Sequence, residues 1–348
     1  MSDQLDESVL EAYGIEANGI ESAGGTAGKA WHVNSTRGHY FVRRRGVRTS
    51  GSQRVRYDHG LRQHLGDQDF PAFPPISNRI GDRFLIHEDL TYEVYPWVEG
   101  RPYALDLSDK ARGPAARILA RLHQISASYS APCEPVVSQF SAFPVEFEPR
   151  PRMDDPVAFL EVIDWVLDAY GTPRNQAAIR KARDRVRWLS EVYDSDYRDL
   201  TWGVIHGDFN CSNLLFHADG EVAGVFDYDW ARREVRLRDI AELIFFFGAQ
   251  RSASCNYHDI WFLTECPTLD INSIKDVLRC YHLKSPLMPA EQRALPWAIL
   301  ARWVSCRTEG LIKVPEDRRV EFLLQDFDRP FQWLDPLRSA FEDVFAGR

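Results

Sequence analysis

Three polar side chains in one short stretch have the spacing of a phosphoryl-transfer site. Asp208 closes a His-x-Asp triplet that begins at His206, and Asn213 follows five residues after Asp208. A second acid, Asp227, comes fourteen residues beyond Asn213. Phosphoryl transfer needs a carboxylate that orients the attacking hydroxyl, and it needs hard oxygen ligands for the Mg²⁺ that accompanies the nucleotide phosphates. The pattern therefore predicts that Asp208 is catalytic and that Asn213 and Asp227 are metal ligands.

A predicted hairpin gives this pattern its geometry. Residues 214–216 are apolar, residues 217–220 (His-Ala-Asp-Gly) have the composition of a tight turn, and residues 221–226 return as a second strand. Such a hairpin brings Asn213 and Asp227 to the same end. The alternative is a buried polar loop whose side chains only cap its own backbone.

The same residues carry a resemblance to a known family. The run His-Gly-Asp-Phe-Asn-Cys-Ser-Asn-Leu-Leu-Phe at 206–216 resembles the signature of the aminoglycoside phosphotransferase, choline kinase and type II homoserine kinase-like superfamily, in which Gly commonly replaces the Arg of protein kinases. Residues 225–230 are similar to the metal-binding segment of that family, and residues 238–241 to its Asp-Leu-Ala element. Residues 120–123 resemble the helix that precedes the catalytic loop, so the likeness covers most of residues 20–245.

The resemblance implies a bilobal, protein-kinase-like α+β fold, with an N-terminal antiparallel sheet lobe and a mainly helical C-terminal lobe. We expect residues 1–95 to form the nucleotide-binding lobe and residues 96–100 the interlobe linker. Residues 101–348 would form the helical lobe with the catalytic loop, the metal segment and the acceptor pocket. In the family, the acid at Asp239 anchors the catalytic loop structurally.

Nucleotide-binding residues follow from the same comparison. Gly24, Gly25 and Gly28 lie between two predicted strands, where glycine lets the backbone approach phosphate, although such a turn by itself also fits a simple hairpin. In the strand at 39–45, the family pattern places Arg43 where kinases carry a phosphate-binding lysine. Arg binds as a planar fork, which is a departure from the family. Asp58 would pair with Arg43 from the next helix.

Two further expectations concern neighbouring positions. Arg44 and Arg45 are expected to lie on the surface. In the linker, Pro96 has no N–H to donate, so the backbone of Trp97 or Val98 would hydrogen-bond the adenine.

Composition limits the classes of function. The chain has 348 residues and a net charge of −9, which argues against a general nucleic-acid binder. The first residues are acidic without an apolar signal region, and the longest apolar run is too short for a bilayer, so a cytoplasmic protein without a membrane partner is expected. The six cysteines show no Cys-x-x-Cys spacing and indicate neither a zinc ribbon nor a disulfide framework.

The predicted reaction is transfer of the γ-phosphoryl group of ATP, with Mg²⁺, to a hydroxyl of a small molecule: an amino alcohol, a hydroxy amino acid, a sugar or an aminoglycoside. We expect Asp229, two residues after Asp227, to assist near the metal or the substrate. The rivals are a protein kinase and a non-catalytic nucleotide-binding relative. A protein kinase is disfavoured because only eleven residues separate Asp227 from Asp239 and no Ala-Pro-Glu element follows.

Four arginines follow the metal segment directly, at 232, 233, 236 and 238. A guanidinium in the cleft would favour a carboxylate or phosphate on the acceptor, and thus a small anionic or neutral alcohol over a polycationic antibiotic. The alternative is that all four are solvated or paired with Glu234 and Asp239.

Overall fold

Alternating apolar residues in the first hundred positions form an antiparallel sheet in the computed structural model. The structure describes residues 4–24, 28–103, 107–131, 140, 143–144, 152–250 and 259–347. Five strands pair in the order β1-β2-β3-β5-β4, each antiparallel to its neighbours. They are β1 (Ala17–Gly24), β2 (Lys29–Ser35), β3 (Gly38–Arg44), β4 (Leu85–His87) and β5 (Leu90–Pro96).

The two faces of this sheet have different partners. On one face, Trp31, Val42 and Val94 lie side by side on paired strands and pack with helix α1 (Glu7–Tyr13) in a small core. Because successive side chains of a strand point to opposite faces, Arg43 lies on the other face. That face is turned towards the catalytic loop, so the strand period delivers the cationic side chain to the site.

Helix α2 (Ser52–Gly66) lies between the sheet and the rest of the chain. Its apolar residues Leu61 and Leu65 are fully buried in the main core, together with residues of the helical lobe. Its buried positions also include the charged residues Asp58 and Arg62. The helix therefore contributes both to the core and to a set of buried charges beside the sheet.

The remainder of the described chain is mainly helical and surrounds one large apolar core. The helices are α3 (Ser108–Ser126), α4 (Pro156–Tyr170), α5 (Gln176–Asp196), α6 (Leu237–Leu243), α7 (Ile260–Leu263), α8 (Ile271–Lys284), α9 (Pro289–Glu309), α10 (Arg319–Leu324) and α11 (Leu334–Phe345). A π-helical turn, Ile244–Gly248, extends α6 with five buried residues.

Short strands in this lobe hold the polar loops. They are β6 (Arg101–Pro102), β7 (Trp202–Ile205), β8 (Leu214–Phe216), β9 (Val222–Val225), β10 (Arg232–Val235), β11 (Ala249–Gln250) and β12 (Thr268–Leu269). Strands β6, β8 and β9 form one sheet, and β7 pairs with β10. The predicted α+β fold, with a sheet lobe followed by a helical lobe, is confirmed; the lobe boundaries at 95–101 stay a prediction. No helix among the described residues has the length and apolarity needed to cross a bilayer.

Candidate active site

The hairpin brings Asn213 and Asp227 to the same end, as its sequence predicts. Leu214 on β8 pairs with Val225 on β9, and one step further the Phe226 N–H donates to the Asn213 carbonyl at 2.9 Å. Asp227 follows immediately in the left-handed region, with φ of 60°. A residue other than glycine rarely adopts this conformation, and such strain is concentrated at functional sites.

The carboxylate of Asp208 is held between two amide side chains. Asn210 Nδ2 donates to Asp208 Oδ1 at 3.0 Å, and Asn213 Nδ2 donates to Oδ2 at 3.0 Å. Asn213 Nδ2 also donates to the backbone carbonyl of Asp208 at 2.8 Å. The first two bonds fix the orientation of the carboxylate. None of the three uses the carbonyl oxygen of the Asn213 side chain.

Burial sets the protonation of Asp208. Desolvation is the main cause that raises its pKa to about 7, and the negative charges of Glu242 and Asp227 act in the same direction. The positive charges of Arg302 and Arg238 oppose the rise. A carboxylic acid with a pKa near neutrality is suited to accept a proton and release it again.

Two carboxylates of α6 hold the backbone of the catalytic loop. Asp239 accepts the N–H groups of His206 at 2.7 Å and Gly207 at 2.9 Å, and Glu242 accepts the N–H of Phe209 at 2.9 Å. Because Asp239 and Glu242 are three residues apart, they lie on the same side of the helix. Together they fix the backbone on both sides of Asp208, which agrees with the anchoring role that the resemblance implies for Asp239.

Glycine is required between His206 and Asp208. Gly207 has φ of 79°, and a Cβ at this position would lie 2.2 Å from the carbonyl oxygen of Trp230. The loop thus packs against the backbone of the segment that follows Asp227. Any side chain at 207 would push the two segments apart.

Arg43 reaches across from β3 to the two acids after the hairpin. Its guanidinium binds both oxygens of Asp229, at 2.9 Å and 2.5 Å, and contacts Asp227 Oδ1 at 3.3 Å. Asp229 is buried, whereas the side chain of Asp227 is 38% exposed. The structure therefore brings together the predicted residues Arg43, Asp227, Asn213 and Asp208.

The expected pair between Asp58 and Arg43 is not formed. Both oxygens of Asp58 are used by other cations: Oδ2 by Arg45, and Oδ1 by Arg62 Nε at 2.5 Å. Asp58 is fully buried, so it is not positioned to bind a nucleotide. The predictions that Asp58 pairs with Arg43, and that Arg45 lies on the surface, are wrong.

The reason lies in the strand that precedes α2. Arg45 shares its face with Arg43, and its N–H still pairs with the Thr91 carbonyl at 2.9 Å, so its side chain enters the space between sheet and helix. There its Nε lies 2.9 Å from Glu93 and its Nη1 2.8 Å from Asp229. Buried cations need such partners, and this position supplies three carboxylates. Arg44, which points to the other face, is half-buried.

The predicted glycines lie at the end of the β1–β2 hairpin. Gly24 pairs with Ala30 on β2, and Gly25 lies outside the described residues. A Cβ on Gly28 would lie 2.2 Å from the carbonyl oxygen of Arg44, so packing against β3 by itself requires a glycine there. Contact of these glycines with phosphate stays a prediction.

In the linker, the backbone N–H of Trp97 donates to the His39 carbonyl at 3.2 Å and so continues the sheet. Its side chain packs against His32, with ring centroids 4.1 Å apart and the ring planes tilted by 36°. Of the two predicted adenine-binding positions, Val98 therefore retains the candidate N–H.

Comparison with known proteins agrees with this geometry. The model of the phosphotransferase enzyme family matches residues 20–258, which is more than half of the chain. The chain belongs to this family. The predicted family relationship is thereby confirmed.

The curated relatives of this chain are distant and match it in part. A homoserine kinase from Caulobacter vibrioides is 27% identical over 136 residues, which are 37% of this chain and 38% of the relative. The stress response kinase A of Salmonella choleraesuis is 25% identical over 198 residues, which are 55% of this chain and 51% of the relative. The chain thus spans about half or less of these proteins.

Solved structures share the whole fold. An aminoglycoside phosphotransferase from Alicyclobacillus acidocaldarius has a TM-score of 0.67 and 16% identity, with 99% of this chain and 98% of the other covered. A microcompartment-associated aminopropanol kinase has a TM-score of 0.66 and 14% identity, with coverage of 95% and 97%. The amicoumacin kinase hAmiN, in a complex with AMP-PNP and Ca²⁺, has a TM-score of 0.63 and 14% identity, with coverage of 97% and 92%.

Among the four arginines after residues 225–230, Arg236 and Arg238 have buried carboxylate partners. Arg236 binds both oxygens of Glu291 at 2.7 Å, and Arg238 contacts Glu242 at 3.1 Å and Asp154 at 3.4 Å. These carboxylates differ from the predicted partners, apart from a 3.8 Å contact of Arg238 with Asp239. Arg232 and Arg233 lie on β10, the first half-buried and the second exposed.

Sequence reasoning missed the role of Asn210, which donates to Asp208 Oδ1, and it missed two charged members of the site. Glu242 carried no motif, although its spacing of three residues from Asp239 on a helix was a usable signal. Strand alternation places Arg45 on the same face as Arg43, and this is evidence against the surface position predicted for it. Both are buried charges: Glu242 lies on α6 in the helical lobe, and Arg45 follows β3 in the sheet lobe.

Proposed function

We propose that this phosphotransferase transfers the γ-phosphoryl group of ATP to a hydroxyl of a small molecule. The observation that supports it is the meeting of Asp208, Asn213 and Asp227 at one end of the hairpin, below the guanidinium of Arg43. A carboxylate for the hydroxyl, hard oxygen donors for a metal and a fixed cation for phosphate are the parts that phosphoryl transfer requires.

Asp208 would orient the acceptor hydroxyl and take its proton. The amides of Asn210 and Asn213 hold its two oxygens, which limits rotation of the carboxylate. With a pKa of about 7, Asp208 is in part ionised at neutral pH and accepts a proton more readily than an ordinary aspartate.

The donor set near Asp208 fits a magnesium ion bound with the nucleotide. Asp227 offers a partly exposed carboxylate, and the Asn213 side chain offers a carbonyl oxygen that does not bond to Asp208. Mg²⁺ is usually held by one or two carboxylates together with substrate phosphates. When bound, it neutralises charge on the phosphates. Arg43 and the backbone at Gly24, Gly25 and Gly28 would contact the phosphates, and the N–H of Val98 would contact the adenine.

A small acceptor fits the segment between Asp227 and Asp239. Its residues form the strand β10, which pairs with β7, and the start of α6. This leaves little chain for a platform that would bind an extended peptide. Homoserine and aminopropanol, which occur in the names of two relatives, are small compounds with both a hydroxyl and an amine, and they lead our list of acceptors.

The test is acceptor-dependent release of ADP from MgATP. Amino alcohols, hydroxy amino acids, sugars and aminoglycosides form the panel. The Asp208→Asn variant should reduce the response by at least about 10²-fold. Asp219→Asn, in the exposed turn of the hairpin, is the matched control that should retain it. If no acceptor raises ADP release, or if Asp208→Asn responds like the control, the proposal is wrong.

A further inference from the structure

Asp229 accepts four hydrogen bonds at the boundary between the lobes. Its Oδ1 accepts from Arg43 Nη1 at 2.9 Å and Arg45 Nη1 at 2.8 Å. Its Oδ2 accepts from Arg43 Nη2 at 2.5 Å and Thr49 Oγ1 at 2.7 Å. All three donor residues belong to the sheet lobe or to the connection between β3 and α2. Asp229 itself follows the metal segment of the other lobe.

The two arginines that share Asp229 differ in freedom. The side chain of Arg45 is 0% exposed and also binds Asp58 and Glu93, so three carboxylates surround its guanidinium. The side chain of Arg43 is 15% exposed, and its remaining contact is with Asp227 at 3.3 Å. Arg43 thus faces Asp227, the candidate metal ligand. Arg45 binds Asp229, and Asp229 in turn binds Arg43.

We propose that Asp229 is a positioning residue for nucleotide binding. It holds the Arg43 guanidinium in a fixed fork beside Asp227, where the phosphates of the nucleotide would lie, and Arg45 and Thr49 hold Asp229 in turn. The inference rests on the proposed function, because it takes Arg43 as the phosphate-binding cation.

The bonding of Asp229 argues against a role as a metal ligand. Each of its oxygens already accepts two hydrogen bonds, and the residue is only 5% exposed. A metal would have to displace cationic donors from a buried carboxylate. Asp227, with a 38% exposed side chain and one long contact to Arg43, is free of that constraint.

A bidentate pair between arginine and a carboxylate fixes direction as well as distance. Without the negative charge of Asp229, we expect the Arg43 guanidinium to turn towards Asp227, the other acid that it contacts. It would then pair with the carboxylate that is proposed to bind the metal. We therefore expect Asp229→Asn to weaken MgATP binding by about 10- to 100-fold, the range that corresponds to the loss of a hydrogen bond to a charged group.

The experiment is a double-mutant cycle on the full chain, with MgATP binding measured by calorimetry in the absence of acceptor. Its members are the wild type, Asp229→Asn, Arg43→Gln and the double variant, and Asp219→Asn is the control. If Asp229 acts through Arg43, the double variant binds MgATP as Arg43→Gln does, with no further loss. Independent roles give losses that multiply.

Multiplying losses would overturn the inference. A second result would also overturn it: the double variant needs a higher Mg²⁺ concentration for ATP binding than Arg43→Gln does. That result would mark Asp229 as a metal ligand. If Asp229→Asn does not fold, Thr49→Val replaces it in the same cycle, because it removes one of the bonds that hold Asp229; it should weaken binding less, and only while Arg43 is present. A wild-type chain that does not bind MgATP refutes the proposed function itself, which is a different result from a multiplying cycle.

Discussion

His206 should make the stability of this protein depend on pH. The imidazole is fully buried, and it lies 2.9 Å from the Phe226 carbonyl through Nε2, while the Asp208 N–H donates to its Nδ1 at 3.2 Å. One nitrogen donates and the other accepts, which is the bonding of a neutral ring. Protonation of Nδ1 would remove the acceptor of the Asp208 N–H within the catalytic loop.

The sign and the size follow from the pKa. Burial is the main cause that lowers the pKa of His206 from 6.5 to about 4, and the charge of Asp239 and the bond to Phe226 offset it only in part. Between these values the unfolded chain binds a proton that the folded chain does not. The contribution of His206 to the free energy of unfolding therefore falls by about 3 kcal/mol as the pH falls from about 6.5 to about 4.

The assay is urea denaturation of the wild type and of His206→Gln at about pH 7 and about pH 4.5. Glutamine keeps a donor for the Phe226 carbonyl and does not titrate, so the variant should lose about 2 kcal/mol less stability over this interval than the wild type. His217→Gln, in the exposed turn of the hairpin, is the matched control, because that imidazole is in contact with water in both states.

Parallel stability curves for the wild type and His206→Gln would refute this reasoning. They would mean that His206 binds its proton equally well in the folded chain, and hence that the buried neutral ring described above is not the form in solution. A lower stability of His206→Gln at neutral pH alone would not contradict it, because the replacement also removes ring contacts with Tyr228 and Phe209.

Three further predictions concern the acids of the site. Asp208→Asn should slow acceptor-dependent turnover by about 10²- to 10⁴-fold while MgATP affinity stays nearly unchanged, and a rate above about a tenth of the wild type would contradict it. Asn213→Ala and Asp227→Ala should each weaken MgATP binding in calorimetry, since Mg²⁺ tolerates a missing ligand poorly, and unchanged affinity in both would place the metal elsewhere. Asp58→Asn should lower the free energy of unfolding by about 3 to 5 kcal/mol, because Arg45 and Arg62 lose a buried partner, whereas Asp67→Asn at an exposed position near the end of the same helix should change it little.

The local amino-acid pattern was enough to predict the parts of the site that are close together along the chain. The hairpin that joins Asn213 to Asp227 depends on a turn of four residues and two short apolar strands, so its local pattern is sufficient to predict that they meet. The glycine at 207 was predictable for the same reason, because its place between His206 and Asp208 is part of the motif.

The pairing of the buried cations, in contrast, depends on how distant parts of the chain pack together. Arg43 lies on β3 and Arg45 directly follows it, and both side chains point to the same face. Nothing in the strand period distinguishes which of them meets Asp58 and which meets Asp227. That choice depends on the positions of α2 and of the hairpin relative to the sheet, and it joins Arg45 to Asp229 across 184 positions of sequence. Electrostatic pairing in a buried site is set by distance and by the available partners, and both arise only when the lobes have packed.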